Sequence, residues 1–323
     1  MSDRATPPFP EPVRKRIASG AFLLIDKPRG PSSHQVTAWV RDLLGVDAAG
    51  HAGTLDPNVS GLLWIGVGPA LKLIPLLLDF PKRYVGLVRL HGAASDPDLA
   101  RVLAEFRGPV YQTPPVRSAV RRERRVRTIH RLELLEREDD RLLIDLVGDS
   151  GTYVRTLAVD LGEALGVDGH LEELRRTGTG PFVEAASIPL ARLADAAHAA
   201  RSGDPAALLA LLHPIEEVTR EVPNVLVKDS AAASIAHGSD LASGGILSTP
   251  RPFSKGQHVV LVSRLGEVLA TGRALVDRDE LSHHRHGWVI DAERVLVDPA
   301  RFSRNPAPKE PAAPAGTDPG GTA

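Results

Sequence analysis

The sequence predicts an α+β protein: a larger domain over residues 20–218 in which strands alternate with amphipathic helices, then a small β-barrel over residues 222–297. Three observations point there. Up to Pro214, apolar residues at helical spacing alternate with short runs suited to strands. Beyond it the texture changes to valine-rich segments between glycines, as in small barrels. The length, 323 residues, exceeds what one ordinary core organises. A hydrophobic content of 42% and a charged content of 24% are those of a globular chain.

Both ends depart from that average. Pro7, Pro8, Pro10 and Pro12 crowd the start, and residues 298–323 hold six prolines with almost nothing large and apolar. Segments 1–19 and 298–323 are therefore expected to be mobile, because neither buries enough surface to offset the entropy of ordering it.

Ala21–Asp26 reads as a buried strand ending in the turn Lys27-Pro28-Arg29-Gly30-Pro31. Ser32 and Gln35 have capping-box spacing, and Val36, Val40, Leu43 and Leu44 follow at i, i+4, i+7 and i+8, so a helix runs to a stop at Gly45. Residues 49–61 read as a glycine-punctuated loop and Leu62–Val67 as a strand. Ala70–Leu78 reads as a helix broken or kinked at Pro75, Arg83–Leu90 as a strand and Leu99–Phe106 as a helix. Two strands meet at the turn Asp139-Asp140. Leu157, Leu161 and Leu165 mark a helix after Gly151-Thr152-Tyr153, residues 170–176 a further short helix, and Leu190–Ala200 and Pro205–Leu212 two alanine-leucine helices. The barrel strands are Val225–Val227, Val259–Val262, Val268–Thr271 and Trp288–Ile290, with a helix at Ser230–His237.

The chain has no cysteine, which excludes disulfides, thiolate metal sites and cysteine nucleophiles. No uninterrupted apolar run approaches the ~20 residues that span a bilayer, so a cytoplasmic protein is expected. Net charge is −1, but residues 117–131 carry seven arginines against one glutamate. Such a block suits phosphates, or is simply a solvated strand face. His283-His284-Arg285-His286 suits tetrahedral metal geometry poorly and reads as a polar loop.

Asp56 is the leading candidate for chemistry. It sits in a glycine loop before Pro57, where it could serve as nucleophile, base or cap, or merely as a turn former. Arg155, at a loop-to-helix junction beside Tyr153, could hold a carboxylate by bidentate hydrogen bonding, or lie on the surface. Tyr84 follows Lys82-Arg83 and could stack on a base while the cations meet phosphate, or be a strand-edge aromatic.

Taken in order, these segments resemble one family. Leu24-Ile25-Asp26-Lys27-Pro28-Arg29-Gly30-Pro31-Ser32-Ser33-His34 resembles the opening motif of TruB-type RNA pseudouridine synthases. His51-Ala52-Gly53-Thr54-Leu55-Asp56-Pro57 resembles their catalytic motif, and Lys82-Arg83-Tyr84 their Lys-x-Tyr. Ser150-Gly151-Thr152-Tyr153-Val154-Arg155-Thr156-Leu157 resembles the third motif, and His170 with Leu174-Arg175-Arg176 the fourth. Tyr111-Gln112-Thr113-Pro114-Pro115, the arginine block and Val227-Lys228-Asp229-Ser230-Ala231 resemble the archaeal and eukaryotic dyskerin-type branch, the catalytic subunits of H/ACA ribonucleoproteins. The carboxyl-terminal barrel resembles a PUA domain.

The resemblance implies a mixed, mainly antiparallel sheet flanked by helices, with the PUA domain binding RNA. It implies isomerisation of uridine to pseudouridine in tRNA, at the T-loop uridine, and/or in rRNA, with no cofactor and no metal. Asp56 would be the catalytic carboxylate, Arg155 its partner, and Tyr84 the ring that stacks on the flipped base and assists proton removal at C5. Tyr153 and Leu174 would line the pocket, and His51 and Lys27 would meet the RNA. An H/ACA guide RNA and partner proteins would position the substrate, and no membrane is involved. Two rivals are a non-catalytic RNA-binding scaffold and a hydrolase using Asp56. A structure that sets Asp56 apart from Arg155 and Tyr84 would count against the synthase and reopen the latter.

Overall fold

The computed structural model describes residues 8–113, 123–283 and 287–302. The first strand, β1 (Ala21–Lys27), shows why the sheet carries near-continuous apolar runs. Ala21, Leu23 and Ile25 enter one core, while Phe22 and Leu24 enter another. A strand buried on both faces has no polar side to show. β3 (Ser60–Val67) repeats the pattern, with Leu63, Ile65 and Val67 on one side and Leu62 and Trp64 on the other.

Helix α2 (Ser33–Leu44) begins and ends at the expected signals. Ser32 Oγ accepts the Gln35 amide at 3.1 Å, and Gly45 closes the helix at φ 62°. Between β1 and β3 lies β2 (Ala49–Ala52), paired antiparallel to β3. Its residues read as loop in the sequence because Gly50 hides the strand pattern. A Cβ there would stand 2.7 Å from Ile74 Cδ1 and 2.9 Å from Leu71 Cδ2, so the ends of these side chains pack directly on the backbone.

A 3₁₀ turn (Gly68–Leu73) leads into α3 (Ile74–Leu78), with Pro75 in the first helical turn, where its missing N–H costs nothing. There follow β4 (Lys82–Leu90), α4 (Asp96–Glu105), β5 (Gly108–Gln112), β6 (Arg125–Glu138), β7 (Arg141–Gly148), α5 (Val154–Ala164), β8 (Gly169–Thr179) and β9 (Phe182–Val183). After α6 (Leu190–Arg201) and α7 (Ala206–Leu211) come β10 (His213–Pro214) and α8 (Ile215–Thr219). Among the described residues ten strands form one sheet in the order β10-β1-β3-β8-β4-β7-β6-β5, with β2 on β3 and β9 on β8. Every pair is antiparallel except β3 with β8.

β8 overturns the helix expected at residues 170–176. Leu171 and Leu174 stand three residues apart, a helix-like spacing, and a bulge accounts for it. Val88 pairs with Leu171 and Leu87 with Glu173, so Glu172 is the extra residue that lets Leu171 and Leu174 both reach the α4–α5 core. The amino-terminal segment also differs from expectation. Residues 11–18 form α1 (Glu11–Ala18), whose Val13 is fully buried, with Phe9 beside it in the same core and Arg201 over the Phe9 ring at 4.2 Å. The prolines masked an i, i+4 apolar pair, and Pro12 lies in the first turn, a helix-start position.

The second domain contains β11 (Asn224–Val227), α9 (Asp229–Ala236), β12 (Leu241–Ala242), β13 (Ile246–Ser248), β14 (His258–Val262), β15 (Val268–Ala274) and β16 (Trp288–Val295). Among the described residues its six strands run β12-β16-β15-β14-β11-β13 around a separate core that includes Val225, Ile235 and Leu261. The two domains share apolar contacts: Val260 and Val268 join Phe22 and Trp64 in one buried cluster. His258 Nδ1 meets Asp79 Oδ2 at 2.5 Å across the same boundary. Residues 114–122, which hold part of the arginine block and of the Tyr111–Pro115 motif, lie outside the described residues, as do His284–His286 and residues 303–323.

Candidate active site

The Asp56 loop is held from below by the β1–α2 connection. Ser33 is fully buried; its Oγ donates to the Leu55 carbonyl at 2.9 Å and accepts the Leu55 amide at 2.7 Å. The Gly30 amide donates to the Pro57 carbonyl at 2.7 Å, and the Val59 amide to the Asp56 carbonyl at 3.0 Å. Lys27 completes the support. Its side chain is buried, and Nζ donates to the carbonyls of Val59 at 2.7 Å, Pro28 at 2.9 Å and Pro57 at 3.4 Å. Burial lowers its pKa, Asp56 raises it and Arg176 lowers it further. Lys27 was expected to meet RNA; its ammonium instead faces inward onto the backbone that carries Asp56.

Asp56 projects into a cleft of about 440 Å³ between this loop, the α5 start and β8. Across the cleft, Arg155 in the first turn of α5 places Nη2 2.7 Å from Asp56 Oδ2. Tyr153, at the helix N-cap, is fixed through its backbone by Gln112, whose side chain accepts the Tyr153 amide at 2.9 Å and donates to its carbonyl at 3.1 Å. Tyr84, Tyr153 and Leu174 line the same cleft as Asp56 and Arg155. Five of the seven expected residues therefore converge. The separation of Asp56 from Arg155 and Tyr84 that would reopen a hydrolase reading is not what the fold provides.

His51 stands outside the cleft lining. Its Nδ1 lies 3.2 Å from Thr37 Oγ1, its Nε2 3.3 Å from Thr54 Oγ1, and its ring meets His34 edge-on at 4.8 Å between centroids. Burial first, then His34 and Arg176, pushes its pKa down to about 4 from the ordinary 6.5. Neutral His51 is thus part of the folded state. The unfolded chain takes up this proton below pH 6.5 and the folded chain only near pH 4, so the stability His51 contributes is present above pH 6.5 and lost as pH falls through about 4. The expected result is that His51→Gln flattens the fall in melting temperature between those values. A difference curve that is level across the window would show that His51 is not the titrating group.

Two site cations carried little signal beyond their motif. Lys82 is buried and donates to the carbonyls of Leu78 at 2.5 Å, Phe80 at 2.6 Å and Leu77 at 3.2 Å, which fixes the α3–β4 corner at the cleft wall. Burial, with Arg176 adding and Asp79 opposing, pushes it down to about 7. Arg176 is buried at 1% exposure, whereas its neighbour Arg175 faces outward to Asp26 and Glu184. The alternation of β8 separates them. A hint lay in Gly61: at φ 103° its missing Cβ would sit 2.2 Å from the Arg176 carbonyl oxygen. Among the described residues no group of three or more His, Asp or Glu side chains could hold a metal ion, and no helix is long and apolar enough to cross a membrane.

Comparison with known proteins agrees with this geometry. Residues 41–154 match the model of the TruB family pseudouridylate synthase N-terminal domain, residues 155–219 that of the tRNA pseudouridylate synthase B C-terminal domain, and residues 223–296 that of the PUA domain. A probable tRNA pseudouridine synthase B of Pyrobaculum arsenaticum is 43% identical over 90% of this chain and 89% of its own length. The one from Methanocaldococcus jannaschii is 41% identical over 92% and 88%. Among solved structures, a chain of a Cbf5-Nop10-Gar1 complex superposes with a TM-score of 0.83 at 36% identity, covering 93% of this chain and 92% of that one. A chain of an H/ACA RNP bound to a substrate RNA containing 2'-deoxyuridine gives 0.79 at 33%, covering 94% of each. With likeness of this extent over both domains, the chain belongs to the TruB family of pseudouridylate synthases and is an isomerase of its dyskerin-like branch.

Proposed function

We propose that the chain isomerises uridine to pseudouridine in tRNA, at the T-loop uridine, and/or in rRNA as the catalytic subunit of a guide ribonucleoprotein. The observation that carries this reading is the Asp56–Arg155 pair facing Tyr84, Tyr153 and Leu174 in one cleft. The reaction breaks the bond from C1′ to N1, turns the base and joins C1′ to C5. Net, one proton leaves C5 and one arrives at N1, so the chemistry calls for a positioned carboxylate and a sheltered base and needs no redox partner or cofactor. Asp56 is the carboxylate. Arg155 aims it, at a distance suited to a charge-assisted hydrogen bond. Tyr84 stacks on the extruded uracil, and Tyr153 and Leu174 close the pocket around it.

Partners follow from likeness to Cbf5 in complexes with Nop10 and Gar1 and in an H/ACA RNP with substrate RNA. On this reading the chain acts in the cytoplasm with a guide RNA and small partner proteins, and its PUA domain grips RNA by shape and phosphate contacts. The test is incubation of purified protein with uridine-labelled tRNA and rRNA fragments, with and without guide RNA and partners, scoring pseudouridine. Product is expected in at least one combination and none with Asp56→Asn. No product in any combination overturns the proposal.

A further inference from the structure

His258, on β14 of the second domain, reaches the α3–β4 corner that forms part of the cleft wall. Its side chain is 11% exposed, and its two ring nitrogens have different partners. Nδ1 lies 2.5 Å from Asp79 Oδ2 across the domain boundary, and Nε2 lies 2.8 Å from Arg273 Nη2 on β15. A carboxylate only accepts and a guanidinium only donates. The ring therefore carries its proton on Nδ1 and offers the Nε2 lone pair to Arg273. Glu293 stands farther off, 3.4 Å from Nε2, and is held by Arg273 Nε at 3.0 Å. Arg273 Nη1 donates to the Gly256 carbonyl at 2.7 Å. The barrel thus fixes the ring so that its Nδ1–H points at Asp79.

Asp79 stands where α3 ends, between two residues that line the cleft, Leu78 and Lys82. Lys82 Nζ binds the carbonyls of Leu77, Leu78 and Phe80, on either side of Asp79. Asp79 also favours the charged form of Lys82 against burial and Arg176. The corner is held from the cleft side by Lys82 and from the barrel side by His258, with Asp79 between them. Leu76 and Leu77 share a buried cluster with Val260 and Val268, so the domains stay joined without His258. Apolar contact is non-directional, whereas a hydrogen bond fixes where the corner stands.

We propose that His258 and Asp79 are positioning residues: through their hydrogen bond the carboxyl-terminal domain sets the place of the Leu78–Lys82 corner, and with it the fit of the cleft around the target nucleotide. This rests on the synthase reading above. A substitution in the second domain then acts on the chemical step, and not only on the grip on RNA.

The test uses the full chain with the RNA and partners that give product, and measures RNA affinity and the single-turnover rate at saturating RNA. His258→Ala is expected to lower that rate on the order of tenfold with the affinity unchanged, as a displaced wall misplaces the bound nucleotide. His258→Asn restores most of the rate, because its amide donates to Asp79 and accepts from Arg273. Asp79→Ala gives the same loss as His258→Ala, and the double variant is no slower than either, since both remove one contact. Losses that multiply in the double variant overturn the proposal, as does an unchanged rate in His258→Ala. A weakened affinity at unchanged saturated rate also overturns it and places His258 on the RNA. Should the alanine variants fail to fold, His258→Gln against His258→Asn decides. Glutamine places its amide at the Nε2 position, near Arg273 and away from Asp79, so it must be the slower of the two, and equal rates overturn the proposal. Failure of the unmodified protein to form pseudouridine would instead defeat the synthase reading, a separable outcome.

Discussion

Asp56→Asn is expected to reduce pseudouridine formation by about 10⁴-fold or more while leaving the folded state and RNA binding almost unchanged. Two magnitudes decide this. The Asp56–Arg155 pair is partly exposed, with side chains at 40% and 38% accessibility, so its loss costs at most about 1 kcal/mol of stability. For a chain of this size that lowers the melting temperature by roughly 2–4 °C. The catalytic term is larger: a 10⁴-fold rate loss corresponds to about 5.5 kcal/mol of transition-state stabilisation. Asparagine fills the same space and still accepts a hydrogen bond from Arg155, but it supplies neither a nucleophilic oxygen nor a base. Single-turnover rates, melting curves and RNA titrations on one preparation separate these effects. Activity within tenfold of the unmodified protein would remove Asp56 from the chemistry, and a weakened RNA affinity at unchanged rate would make it a binding group.

The site was legible in the sequence to the extent that it is built from turns. Pro28 and Pro57 limit backbone choice, Gly30 and Gly53 admit the positive φ of 110° and 84° that the turns use, and the cap at Ser32 locates α2, so the Asp56 loop could be read from local chemistry. The pairing with Arg155 came from the ordered motifs and is present at 2.7 Å. What escaped was decided by tertiary packing. The bulge at Glu172 gives β8 a helix-like spacing, and only pairing with β4 corrects it. Arg175 and Arg176 are adjacent and chemically identical; strand alternation sends one outward to Asp26 and Glu184 and buries the other, opposite Tyr84 in the β4–β8 register. The amino-terminal helix looked like a proline-rich tail because a single buried Val13 and a neighbouring Phe9 suffice when a ready-made core lies alongside. Val260 and Val268 read as barrel residues and are that, but they also close the core around Phe22 and Trp64, which no local pattern could announce.

Lys27→Met is expected to lower both stability and turnover while leaving the affinity for RNA unchanged. Methionine matches the length of the side chain and donates nothing, so three carbonyls lose this donor, and of them the Pro57 oxygen keeps the Gly30 amide. Only the Val59 contact is wholly buried; the Pro28 and Pro57 oxygens lie closer to solvent and regain water. A buried acceptor left unpaired costs about 1–3 kcal/mol, and relief from burying a charge offsets part of the remainder. The expected net loss is therefore about 2 kcal/mol, a fall in melting temperature of roughly 4–8 °C. Turnover falls further than stability alone explains, because Pro57 and Val59 flank Asp56 and a displacement on the order of 1 Å at a reacting group costs about 100-fold. Melting curves, RNA affinity and the single-turnover rate at saturating RNA distinguish this from a direct role. A Lys27→Met protein with weakened RNA binding, unchanged rate and unchanged melting temperature would place the ammonium on the RNA, and the three carbonyl contacts would then not be what holds the Asp56 loop in place.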